Sequence, residues 1–179
     1  MPVSCHVADR DAAPDDGGGV GELHDNDLEA AQVRSELRGG HRVIELTVLV
    51  MLAITARAGA TSQTPRAVAE LHDLDVRYER LPPEVPAMLI AGIILVKRKL
   101  DARREALAIW HELAHHLLRT SLHTHGDVWA LTLLLAAPPW ILQGLREAHR
   151  LDADQLAWDA TIPRWAAVER LVLAEESAA

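Results

Sequence analysis

The alternation of apolar and polar positions divides the chain into a sparse N-terminal stretch, a short strand-rich segment and a long helical half. Residues 1 to about 40 hold few large apolar side chains and include Asp15-Asp16-Gly17-Gly18-Gly19. Such a composition buries too little area to offset ordering entropy, and it predicts a disordered, solvated tail. Within it, the weak amphipathic pattern of Asn26 to Leu37 allows a helix capped by Asn26 or Asp27 and ended by Gly39-Gly40. Val43 to Arg57 is nearly continuous apolar sequence and predicts a core helix, with a strand as the alternative its β-branched residues allow. Thr64-Pro65 then offers an N-cap followed by proline at the first helical position, opening a short helix with Ala67, Val68 and Leu71 on its apolar face.

Short strands are expected next. Val76 to Leu81 alternates apolar and polar, Pro82-Pro83 and Pro86 force a turn, and Met88 to Ile90 is separated by Gly92 from Ile93-Ile94-Leu95-Val96. The simplest arrangement is a small antiparallel sheet, with the Gly92 to Val96 strand on an exposed edge because it ends in Lys97-Arg98-Lys99. From Asp101, a plausible N-cap, the period becomes helical, with Leu107, Trp110, Leu113, Leu117 and Leu118 on one side to about Arg119. Asp127 to Ala137 predicts a second helix, closed by Pro138-Pro139. Trp140 to His149, Asp152 to Trp158 and Pro163 to Ala174 complete a helical end. The expected fold class is therefore α+β and helix-rich, a single domain over 41–179 with a core at 64–138 and a helical module at 139–174.

Composition narrows the function classes. A chain of 179 residues can bury a real core. The nearly apolar run Val43 to Ala56 includes Glu45 and falls short of the roughly 20 residues a membrane span needs. A net charge of −8 argues against broad contact with nucleic-acid phosphates. Cys5, the single cysteine, cannot form an intramolecular disulfide, and no cationic start leads into an apolar stretch and cleavage site, so the cytoplasm is the expected compartment. Of the ten histidines, His111, His115, His116 and His123 crowd together, with His125 just beyond.

That crowding contains chemistry. His111-Glu112-Leu113-Ala114-His115 is an HExxH sequence inside an expected helix. Positions four apart lie about 40° apart around a helix axis, so both imidazoles can grip one metal ion. Glu112 is turned about 100° from His111 and can reach a water on that metal without being a ligand, the position of a general base. A catalytic zinc needs a third protein ligand and one open position. Ser121 stands where a third histidine of the longer metzincin pattern would be, which leaves Asp127, His123 and His125. A carboxylate in the first turn of the next helix, facing back across a short loop, favours Asp127. His116 points to another side of the helix. Tyr78, on a strand, reads as core or rim, and Lys97-Arg98-Lys99 with Arg103-Arg104 reads as a solvated basic edge.

Three segments together resemble the ImmA/IrrE family of zinc metallopeptidases: Gly92-Ile93-Ile94-Leu95-Val96, His111-Glu112-Leu113-Ala114-His115-His116-Leu117-Leu118, and Asp127 through Leu133-Leu134-Leu135-Ala136-Ala137-Pro138. The likeness covers about Thr64 to Leu171. Where the family has Glu followed by Ala-Asn, this chain has Asp127-Val128-Trp129. The resemblance implies a zincin-like domain, with zinc held by His111, His115 and Asp127 and with Glu112 as the base. It also implies a regulatory endopeptidase whose substrate is a helix-turn-helix repressor. The rival expectation is a non-catalytic protein that sequesters a regulator and whose metal is structural or vestigial.

Overall fold

The computed structural model describes residues 30–34, 64–119 and 123–176. Helix α1 (Pro65–Leu71) starts at the expected cap, where Thr64 Oγ1 accepts from the Ala67 N–H and Pro65 opens the first turn. Strands β1 (Asp75–Glu79), β2 (Ala87–Ile90) and β3 (Ile93–Lys97) follow. Five helices then complete the described chain: α2 (Ala102–Leu118), α3 (His125–Ala136), α4 (Pro139–Glu147), α5 (Ala153–Asp159) and α6 (Arg164–Glu176). The α+β class holds.

The sheet itself departs from the antiparallel expectation. Its order is β1-β3-β2. Strand β3 runs parallel to β1, with Asp75 opposite Ile93 and Glu79 opposite Lys97, and antiparallel to β2, with Ala87 opposite Val96 and Ile90 opposite Ile93. Residues 80–86, stiffened by three prolines, carry the chain past the width of a strand instead of turning it back beside β1. A tight turn through Ala91 and Gly92, both at positive φ (49° and 81°), then folds β3 into the gap. The Gly92 to Val96 strand is thus central, which overturns its assignment to an edge. Its terminal charges are taken up by its neighbours: Lys97 Nζ donates to the Pro83 carbonyl at 2.6 Å, and Arg98 Nε to the Tyr78 carbonyl at 3.2 Å.

Helix α2 is capped by Asp101, which accepts from the Arg103 and Arg104 N–H groups, and it lies between the sheet and α3. Ile94 and Val96 from β3 and Leu113 and Ala114 from α2 are fully buried in this seam. Helix α3 is buried on nearly every side, as befits a core helix that is apolar all round. No single helix among the described residues is long and apolar enough to cross a membrane. Buried Arg170 on α6 donates from Nε to the Ala137 carbonyl at 2.8 Å, at the C-terminal end of α3. Burial, with Arg146 nearby, lowers its pKa to about 10, so it stays cationic against the negative end of that helix.

Residues 30–34, inside the amphipathic stretch Asn26 to Leu37, are helical. Ala30 and Val33, three apart on one helical face, are buried, and Arg34 donates to Glu169 Oε1 from Nε at 2.9 Å and from an Nη at 2.5 Å. Glu169 is only 3% exposed, so this short stretch supplies a counter-charge that the helical module needs. The helix expected over Val43 to Arg57 lies outside the described residues, as does the rest of the tail. Deleting residues 1–34 is expected to lower the melting temperature by several degrees. Glu169→Gln in the truncated chain should recover part of that loss, because a lone buried amide costs less than a lone buried carboxylate. A truncated protein that melts with the full chain would deny residues 30–34 any part in stability.

Candidate metal centre

Helix α2 places the HExxH residues as their spacing requires. Its apolar side, including Leu107, Trp110, Leu113 and Leu118, is buried, and His111, Glu112 and His115 are half-buried at its margin. The His111 and His115 rings sit 4.8 Å apart, centre to centre. The next contribution comes from His125. The Nε2 atoms of His125 and His111 are 3.4 Å apart, and ligand atoms of His111, His115 and His125 all lie within 4.8 Å of one another.

Asp127 is placed elsewhere. Helix α3 begins two residues earlier than its sequence pattern suggested, with Thr124 as N-cap. Thr124 Oγ1 accepts from the Asp127 N–H at 3.2 Å, while Asp127 Oδ2 accepts from the Thr124 N–H at 2.7 Å and from its hydroxyl at 2.9 Å. This reciprocal capping box holds the carboxylate on the helix start and puts His125 in the first turn, beside His111. The structure thus places Asp127 in the cap and brings His125, not Asp127, up to His111 and His115. The Thr124-x-x-Asp127 pattern is itself a capping-box signature, so the signal was present in the sequence.

The donor set suits a metal ion. Two nitrogens on a tetrahedron around zinc stand about 3.3 to 3.4 Å apart, given Zn–N bonds near 2.0 to 2.1 Å. The His111–His125 separation already meets that figure. Burial, then the neighbouring His115 and His125, lowers the His111 pKa to about 3, and burial with His125 and His123 lowers that of His115. Both are neutral at neutral pH, the form that ligates. Trp129 tilts over His111 with ring centres 4.3 Å apart and contributes to that burial. Thr132 Oγ1, fully buried on α3, lies 3.4 Å from His111 Nδ1.

Glu112 adjoins this cluster and faces the sheet. Burial raises its pKa to about 7, against a hydrogen bond from the Leu89 N–H that lowers it. His111, Glu112 and Trp129 line one end of a cleft of about 750 Å³ that runs along α2 toward Arg104, with Pro86 and Ala87 on its far wall. Residues Gln32 and Val33 of the N-terminal stretch also face it. The other sequence candidates lie apart: His116 pairs with Arg119 and faces His72, and exposed His123 is not in the cluster. Tyr78 is at the rim, its hydroxyl donating to Glu105 at 2.6 Å.

Fold and site together define an α+β protein whose three clustered histidines are close enough to bind a metal ion. No protein-family model matches the chain, and no curated protein shows significant similarity to it. His125→Ala, like His111→Ala and His115→Ala, is expected to abolish retention of added zinc through gel filtration, measured by elemental analysis. Asp127→Ala should keep the metal and lose about 1 kcal/mol of stability with its cap. Zinc lost from the Asp127 variant but kept by the His125 variant would restore the acidic ligand.

Proposed function

We propose that this protein is a zinc-dependent hydrolase of peptide bonds, with His111, His115 and His125 as ligands and Glu112 as general base. The observation that carries this reading is the closeness of three imidazoles, two from α2 and one from α3, with Glu112 of α2 lining the adjoining cleft. Three histidines and one open position make a catalytic donor set, and zinc held there would polarise a carbonyl and lower the pKa of water toward 7. The resemblance to the ImmA/IrrE family makes a helix-turn-helix repressor the first protein substrate to try.

The chain's own groups supply the remaining parts. Glu112 takes a proton from the attacking water and returns it to the departing amine, a role that follows from its place beside the ligands without being one of them. The outer edge of β2, which pairs with no further strand among the described residues, holds the peptide. Lys97 N–H pairs with the Pro86 carbonyl, so alternation along the ladder turns the backbone groups of Ala87 and Leu89 outward. The Leu89 N–H that now bonds Glu112 is one of those groups. A peptide adding a strand here competes for that N–H and releases the carboxylate as it arrives.

Two measurements test this. Glu112→Gln should retain zinc yet lower the rate of peptide cleavage by about 10²- to 10⁴-fold, the usual worth of general-base catalysis. An equally active Glu112→Gln protein would remove the base, and a variant that keeps its full biological effect without cleavage would favour the sequestering rival. Ala87→Pro removes one outward N–H at an edge position that tolerates proline. It is expected to raise KM with zinc content unchanged; an unaltered KM would take the β2 edge out of substrate binding.

A further inference from the structure

We infer that Thr132 is the positioning residue of this centre: its hydroxyl fixes the His111 imidazole in the tautomer that offers Nε2 to a metal ion. The inference rests on the three-histidine reading above and adds a residue that no motif marks. Thr132 stands in the apolar run Leu131-Thr132-Leu133-Leu134-Leu135 and is completely buried. Its Oγ1 lies 2.7 Å from the Val128 carbonyl and 3.4 Å from His111 Nδ1. A hydroxyl carries one hydrogen and two lone pairs. The Val128 carbonyl can only accept, so the hydrogen lies on that short bond and Oγ1 meets Nδ1 as an acceptor. Nδ1 therefore carries the imidazole proton, and Nε2 carries the lone pair.

Nε2 is the atom that faces His125, at 3.4 Å. Since His111 brings no hydrogen to that contact, the donor in it is His125 Nε2–H. A metal ion entering between the two displaces that hydrogen, either to His125 Nδ1 or to solvent. His111 is thus preorganised for ligation, whereas His125 adjusts. The simpler role for Thr132 is a buried hydroxyl satisfied by the carbonyl one turn back, with no influence on His111. The two roles differ in what valine does at this position, because valine fills the space and removes both bonds.

The test uses the full chain with ¹⁵N-labelled histidine. In metal-free wild type, long-range ¹H–¹⁵N correlations should show His111 protonated at Nδ1; in Thr132→Val the ring should redistribute toward the Nε2–H form. Zinc affinity, measured by competition with a chromophoric chelator, should fall about 10- to 100-fold in Thr132→Val, the range for partners that orient a ligating histidine. Thr132→Ser, which keeps both bonds, should restore the tautomer and the affinity. Should the valine variant fail to fold, Thr132→Ala gives the same tautomer reading. An unchanged tautomer in the folded valine or alanine variant, or a serine variant as weak as valine, overturns the assignment. Wild-type protein that binds no zinc removes the metal centre instead, and the metal-free tautomer still decides whether Thr132 governs His111.

Discussion

The reciprocal bonds between Thr124 and Asp127 decide where α3 begins, and that start determines which side chain meets His111. A carboxylate at this position accepts two hydrogen bonds from Thr124 and sits in the positive field of the helix N-terminus. Drawing it across to a metal would orphan the Thr124 N–H and surrender that field. Both cap bonds converge on Oδ2, and the geometry gives Asp127 to the cap and His125 to the histidine cluster. The burial that α3 imposes on His111 is what keeps that ring uncharged.

What the sequence disclosed was local. The His111, Glu112 and His115 placement follows from helical spacing alone, and the Thr64 and Asp101 caps follow from residue type next to an apolar period. The start of α3 was also local, but reading Asp127 as its first residue hid the Thr124 cap and, with it, the position of His125. Thr132 gave no sign of its place, because a threonine among leucines acquires meaning only when another helix brings an imidazole against it. The helical stretch at residues 30–34 was foreshadowed by its amphipathic pattern, but its docking was hidden for a similar reason: it rests on an ion pair with Glu169, far along the chain.

Strand order was the least legible feature, since nothing in a strand's own residues says which neighbour it will find. Lys97-Arg98-Lys99 looked like the signature of a free edge, the usual place for such charges. In the folded protein two of these side chains reach carbonyls, Lys97 at Pro83 in the loop before β2 and Arg98 at Tyr78 on β1. Positive charge at a strand end marks exposure of its tip without saying whether its flanks are paired.

That order has a consequence for the chemistry. With β3 enclosed, the sheet has two outer strands, and they are not equivalent. On β1, Arg66 from α1 donates to the Val76 carbonyl at 3.2 Å and stacks over the Tyr78 ring, so this strand is occupied by the helix that precedes it. On β2, an outward backbone donor is held by Glu112, a residue of the metal-bearing helix. A tight Ala91-Gly92 turn is therefore linked to the site through topology: it sends β3 inward, leaves β2 outermost among the described strands, and brings the backbone of that strand within reach of Glu112.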